Sequence, residues 1–445
     1  MDACPAEVRL GARVRWGLAA VVWTAVAAYG SLVPLRYTPL PWDEALRDFE
    51  RIRWLSIGLG GRQDWVANGL VFLPIGLLGT AALSWNRPPI AAWVAFPLVT
   101  AFGTAVAVGL EFLQIFFPPR TVSLNDIVSE SLGVFAGCFL WATAGSRAAR
   151  WWGRVRAARG QAFAEELLAA YALILLAFSV LPCDVVLSHD ELDQKIRMGR
   201  VAWAFAPGTP IRRAVFGKLA LAALHAPVGY FLGRLAARHG LIRVLACGVF
   251  YAAFGELIQL VIYSRTATAL DACAAFLGLG AGAVWARWTV PEMYKELPSA
   301  GSLGWRVVLG AYCVAVSFLY LWPFRWETDP AAIAGNWEGF FSRVPFAGHY
   351  VGTEFAALTN ILARLIAFTG FGVVAEFACS AARDLRARGL RVQGVLLAAV
   401  VWGFALEVSQ IWLVGRVADL TDVVLGVVGA ALGMTAVRWF GDRMG

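Results

Sequence analysis

Glu111, Gln114, Arg120 and Asp126 stand in the pattern E-x2-Q-x5-R-x5-D, and the same spacing returns at Glu256, Gln259, Arg265 and Asp271 and at Glu407, Gln410, Arg416 and Asp422. The chain holds seven glutamines, and three of them sit three residues after one of these glutamates, so the recurrence is not chance. Side chains three apart on a helix share a face, so each Glu-Gln pair is a local polar spot. A carboxylate near the end of an apolar helix needs a partner or water. The arginine nine residues on would sit about 13 Å further along an unbroken helix. In the first copy Pro118 and Pro119 precede Arg120, so the chain is expected to turn there and bring the guanidinium back over Glu111 and Gln114 or across to Asp126. An arginine so placed can take a phosphate or carboxylate in bidentate fashion, or serve as an internal counter-ion. Each aspartate follows Ser123, Thr268 or Asp419 by three residues, the spacing of a helix N-terminal cap, so capping and ligand contact both remain open for it.

These residues are set in long apolar runs. The 445-residue chain is 59% hydrophobic and 15% charged, with a mean hydropathy of +0.65 and 20 Trp. Soluble domains are about 45–50% apolar and about 25% charged, so a soluble enzyme and a disordered chain are excluded. Twelve runs long enough to span a bilayer are expected near 16–35, 65–84, 90–117, 125–145, 163–182, 214–236, 241–263, 268–288, 305–323, 356–380, 392–413 and 419–440. The fold expected is therefore all-α, a polytopic membrane protein of about 12 transmembrane helices in three parallel four-helix repeats: 1–150, 151–297 and 298–445. In each repeat glycines follow the aspartate by seven and eleven residues, Gly133 and Gly137, Gly278 and Gly282, Gly429 and Gly433, a small-xxx-small stripe for close helix packing.

Four spans per repeat return the chain to its starting side. Arginines in the short loops, such as Arg147, Arg150, Arg154, Arg156 and Arg159 or Arg383, Arg386, Arg388 and Arg391, place both termini in the cytoplasm and the E-Q-R-D segments outside. Between the first and second spans, Trp42, Leu46, Phe49 and Ile52 recur at helical spacing among charges, as in an amphipathic helix lying in the interface. The third such loop carries Trp337, Phe340, Phe341 and Phe346 around Arg343, an aromatic anchor or a lipid-contact lid. The seven cysteines, Cys4 among them, have no CxxC spacing and read as small core hydrophobes.

The array resembles the VanZ-like family, with three tandem copies in one chain. The first copy carries the rest of that pattern as Asn68, Phe72, Pro74 and Gly76; the second keeps Pro227 and Gly229, and the third Gly372, with Arg364 where Asn68 would fall. The asparagine expected four residues after the aspartate is replaced by Glu130, Ala275 and Gly426. The resemblance implies a protein of the bacterial cytoplasmic membrane and cell envelope with a role like that in low-level teicoplanin resistance, and the losses imply unequal roles for the copies.

Other chemistries find no motif. There is no P-loop, H-E-x-x-H or nucleophile elbow, and the four histidines are isolated, so no cofactor and no metal site is expected. The charge of +8, with Lys195, Lys218 and Lys295 the only lysines, is scattered through loops, which suits lipid headgroups rather than nucleic acid. Three functions remain. The first is a binding protein that holds an envelope lipid, lipid-linked glycan or glycopeptide-related ligand at its outer face through the twelve E-Q-R-D residues with Asn68 and Glu130. The second is an intramembrane enzyme on a lipid-linked substrate. The third is a lipid transporter or flippase, for which only Lys218, Arg364, Glu130 and Glu376 lie deep enough.

Overall fold

In a computed structural model the described residues are 6–205, 211–288, 303–350, 354–379 and 385–444. Helix dominates, as the apolar runs require where no water is present to satisfy backbone polar groups. The first stretch holds α1 (Ala6–Leu32), α2 (Trp42–Glu50), α3 (Leu59–Ser84), α4 (Ile90–Gln114) and α5 (Leu124–Ala157). Next come α6 (Gly160–Val180), α7 (His189–Arg197), α8 (Ile211–His239), α9 (Leu241–Val261) and α10 (Ala269–Trp288), with the parallel pair β1 (Val201–Ala202) and β2 (Ala267–Thr268). Last are α11 (Leu303–Leu321), α12 (Pro330–Ser342), α13 (Glu354–Cys379), α14 (Leu385–Gln410) and α15 (Leu420–Met444). The order long, short, long, long, long thus occurs three times.

Among the described residues ten helices are long and apolar enough to cross a membrane, where twelve were expected. α1 is not among them because Arg9, Arg13 and Arg15 interrupt its first half, and α9, 21 residues long, is fully described only over Ala246–Val261, an apolar stretch that falls short of the count by that alone. The apolar stretch of α6 is only 6% buried, with Leu173 and Ile174 both 68% exposed. A surface that apolar needs lipid against it, so the chain is a multi-span membrane protein.

The chain forms two compact units. One comprises residues 1–56, 67–150 and 298–442, with one core around Phe72, Ile75, Val99, Ala107 and Val134 and another around Phe368, Phe371, Ala399 and Ala430. The other comprises residues 57–66, 151–297 and 443–445, with a core of Val228, Ala252, Ala275 and Leu279.

In each stretch the second and fourth long helices meet backbone to backbone. A Cβ on Gly76 would overlap the Val134 carbonyl, on Gly229 that of Leu279, and on Gly372 that of Ala430; in return Gly137, Gly282 and Gly433 face the carbonyls of Leu73, Ala226 and Thr369. The glycine pairs are therefore packing devices, as their spacing indicated.

Several expectations are corrected. The supposed basic linker is helical: Arg147, Arg150, Arg154 and Arg156 lie on α5, within which the two compact units part at the expected 150/151 boundary, and Arg386, Arg388 and Arg391 lie on α14. Ile52 lies beyond the end of α2, which keeps Trp42, Leu46 and Phe49. Of the cysteines only Cys138 is buried among those described, while Cys247, Cys273 and Cys379 are exposed on helix surfaces. Cys4, Lys295, Arg383 and the 297/298 boundary lie outside the described residues.

Candidate functional site

The E-Q-R-D residues gather at the end of the third long helix and the start of the fourth. In the first copy α4 ends at Gln114, and the turn that follows lets the Ser123 N–H donate to Glu111 Oε2 at 3.0 Å. Ser123 Oγ accepts from the Asp126 N–H at 3.1 Å and donates to Asp126 Oδ2 at 2.6 Å, so the capping spacing does form a cap. Thr268 and Asp271 repeat that pair at 3.1 and 2.6 Å. In the last stretch the Asp419 N–H donates to Glu407 Oε2 at 3.0 Å, while Asp419 Oδ1 caps the Thr421 N–H at 2.8 Å. Asp422 is thereby released for other contacts.

The arginines go elsewhere than the turn alone suggested. Arg120 Nη2 donates to the Gly30 carbonyl at 2.6 Å, Arg265 Nε and Nη2 to Leu181 and Phe178 at 2.7 and 2.8 Å, and Arg416 Nη2 to Trp322. Each of these carbonyls lies at the C-terminal end of the first long helix of its stretch. Four carbonyls there lack intrahelical partners and carry the negative end of the dipole, so the arginine clamps the first helix to the corner where the third and fourth meet.

What differs is the donor that the second long helix offers the aspartate. Asn68 Nδ2 donates to Asp126 Oδ1 at 2.9 Å. In the second stretch Lys218 does so, 2.6 Å from Asp271 Oδ1 and 3.0 Å from Thr268 Oγ1. In the third Arg364 spans two carboxylates, with Nη1 3.1 Å from Glu407 Oε1 and Nη2 2.8 Å from Asp422 Oδ2. Its guanidinium lies over the Tyr320 ring at 4.1 Å, a cation–π contact, and His349 Nε2 comes within 3.0 Å of Asp422 Oδ1. Gln410 Nε2 donates to Glu407 Oε1 at 3.0 Å. Glu130, one turn past Asp126, is buried at 3% exposure beside Ser129.

Two of these corners open into cavities. One of about 330 Å³ lies among α6, α8, α9 and α10, with Lys218, Glu256, Gln259, Arg265 and Asp271 facing an apolar wall of Leu175 and Leu221. The other, about 490 Å³, is lined by Tyr320, His349, Asn360, Arg364, Arg416 and Asp422. Among the described residues no cluster of His, Cys, Asp and Glu has the makings of a metal site.

The VanZ/LLP1 family model matches residues 15–145 and 309–441, well over half of the chain. The chain belongs to the VanZ/LLP1 family. The two matches cover at least two copies, and residues 151–297 lie between them. The chain has no significant match among curated proteins or among solved structures.

Around both VanZ-like copies and in the stretch between them, short helices brace the end of the third long helix. In the first copy Trp42 and Phe49 of α2 pack on Phe112 at 5.7 and 5.4 Å. In the third, α12 sets Trp337 against Trp412 at 5.7 Å and donates from Asn336 Nδ2 to the Ile411 carbonyl at 3.0 Å. The aromatic loops are thus anchors of the corner. Between them α7, which no apolar pattern announced, begins at the Ser188 cap and buries Lys195. That ammonium gives its three donors to the carbonyls of Gln259, Leu260 and Ile262 at 2.5, 2.9 and 2.6 Å. Burial pushes its pKa down to about 8. In the same unit Arg62 forks onto both oxygens of Glu191 at 2.9 and 2.7 Å and holds that carboxyl down at about 2. Lys195, Lys218 and His349 were not read as corner residues from sequence; the rarity of lysine in this chain was the available signal.

Proposed function

We propose that this VanZ-family protein is a membrane binding protein that receives the polar end of an envelope lipid or glycopeptide-related amphiphile at the E-Q-R-D corners, on the outer face with both termini inside. The observation that carries this reading is the pair of cavities at two of those corners, one setting charged groups against an apolar wall and the other lined mostly by polar groups. Small-molecule sites are mostly apolar concavities of roughly 300–1,000 Å³ with a few convergent polar groups; both cavities have that size, and the smaller one also has the apolar lining. Residues 151–297 act as a third copy in this reading. Support comes from their identical spacing, their arginine clamp, their Thr268–Asp271 cap and their glycine crossing.

An enzyme acting on a lipid-linked substrate draws support from His349 beside Asp422 in the larger cavity, an arrangement able to move a proton. One experiment addresses both. Protein purified in mild detergent is analysed by native mass spectrometry with extraction of what it retains. The binding reading expects a discrete envelope amphiphile at defined stoichiometry, reduced in a variant carrying Leu221→Trp and Ala363→Trp. Retained lipid that is chemically altered on incubation favours the enzyme. Only bulk lipid in membrane proportions, unchanged in the variant, refutes binding.

A further inference from the structure

The three motif glutamates do not end in the same state. Glu111 Oε2 accepts the Ser123 N–H and Glu407 Oε2 accepts the Asp419 N–H, both at 3.0 Å. Glu256 occupies the same place in its copy, yet its Oε2 is buried and has no hydrogen-bond partner among the described residues. A buried carboxylate oxygen without a donor costs free energy that a native structure ordinarily recovers from some partner. The nearby cations do not supply it. Lys218 is engaged by Asp271 and Thr268, and Arg265 directs Nε and Nη2 to the first-helix carbonyls. Asp271 is likewise taken, by Lys218 and by the Thr268 hydroxyl. Glu256 lines the 330 Å³ cavity, together with Gln259 and Thr266, whose side chains add acceptor oxygens, and with the apolar Leu175, Leu221 and Leu224.

A ligand suited to this cavity brings donors rather than acceptors at its polar end and carbon behind them. The donor count agrees: Lys218 serves Asp271 and Thr268, Arg265 serves the first-helix carbonyls, and Glu256 Oε2 is the acceptor left without a donor. We propose that the cavity of residues 151–297 binds an amphiphile through a primary ammonium group, which donates to Glu256 Oε2 and to the oxygens of Gln259 and Thr266 while its hydrocarbon lies along Leu175, Leu221 and Leu224. This deepens the binding function proposed above and rests on it. An aminophospholipid and an aminated glycolipid share the required group. A quaternary ammonium has the charge but no N–H, so hydrogen bonding and charge can be told apart.

The test uses the full-length protein in detergent and calorimetric titration with monomeric probes. Dihexanoyl phosphatidylethanolamine is compared with dihexanoyl phosphatidylcholine, and octyl glucosaminide with octyl glucoside. A hydrogen bond to a charged group is worth about 1.5–3 kcal/mol, about ten- to a hundredfold in affinity. Wild type is therefore expected to bind at least one amine probe about tenfold or more tightly than its partner, and the pair that shows it names the source. Glu256→Gln, nearly the same shape, should bring the two members of that pair together and leave binding of the amine-free member unchanged. Equal affinities in wild type, or a preference that survives Glu256→Gln, overturn the ammonium site while leaving the wider binding function standing. Failure of all four probes to bind overturns the ammonium site as well, and retained envelope lipid then decides separately whether the wider function stands. The wild-type comparison does not depend on whether the variant folds.

Discussion

Removing the charge of Arg364 while keeping much of its bulk, as in Arg364→Gln, should destabilise the last stretch more than any comparable change in the other two. The guanidinium is the bridge between two carboxylates, 3.1 Å from Glu407 and 2.8 Å from Asp422, whose side chains are 2% and 4% exposed. Removing one partner of a buried pair costs about 3–5 kcal/mol because the charge left behind stays desolvated. Support for the carboxylates is uneven: Glu407 retains the Gln410 amide and the Asp419 N–H, and Asp422 keeps His349 Nε2 at 3.0 Å without a hydrogen bond between them. That places the expected loss near the lower end, about 3 kcal/mol. Lys218→Gln should cost less, since Lys218 and Asp271 are 22% and 15% exposed and water screens what remains. Denaturant unfolding in mixed micelles, followed through Trp402, which packs on Phe368 at 4.9 Å, reads both. The decisive measurement is the cycle with Glu407→Gln, which should restore a good part of the stability lost in the Arg364→Gln background because the stranded charge is gone. If the two substitutions add to within about 0.5 kcal/mol, Arg364 and Glu407 are not coupled and the bridge is wrong.

Two further outcomes follow from other contacts. A Cβ on Gly137 would overlap the Leu73 carbonyl and come within 2.7 Å of the Leu77 N; Gly137→Ala should therefore force α3 and α5 apart and cost about 1–3 kcal/mol or more. Gly109→Ala, with nothing within 4 Å, should be neutral or slightly stabilising, and monodispersity on size exclusion after heating ranks the two. The second concerns pH. Arg62 holds Glu191 down at about 2 from an ordinary 4.5, so the folded state binds fewer protons than the unfolded one in that window. The stability this pair gives is present above about pH 4.5 and is lost as pH falls toward 2. Protection of the α7 amides, taken relative to their intrinsic exchange rates, should fall over that range, and in Glu191→Gln it should show no such step.

The corner residues were legible because polar side chains are scarce in this chain: a glutamate and a glutamine three apart, three times over, have no background to hide in. The long helices were legible for the same reason, read from the apolar side. What could not be read were partners that carry no side-chain identity. Arg120, Arg265 and Arg416 bond backbone carbonyls, and a carbonyl looks the same at every residue, so the sequence pointed only to anionic partners for them, a ligand's phosphate or carboxylate or an internal carboxylate. Lys218 escaped because it sits one turn ahead of the position matching Asn68, and its longer side chain makes up the distance to Asp271. α7 escaped because its helix is held by a cap, charges and a buried lysine rather than by an apolar stripe.

The division between what the three stretches share and what they vary bears on where function sits. The arginine clamp and the glycine crossing recur in all three stretches and use donors and acceptors internal to the fold, so they account for themselves as architecture. The donor facing the aspartate does not recur: it is a neutral amide at Asn68, one cation matched to one carboxylate at Lys218, and one cation shared by two carboxylates at Arg364. Packing alone gives no reason for that spread, since all three reach the same aspartate. The change in donor accompanies a change in what is left over at the corner: an unpartnered Glu256 oxygen in one cavity, and a histidine beside a carboxylate in the other. On the binding function proposed above, stretches that keep a scaffold while altering the charge around a cavity would receive different groups. In that proposal the residues best placed to choose a ligand are Asn68, Lys218, Arg364, Glu256 and His349, set on a frame that the recurring motif holds in place.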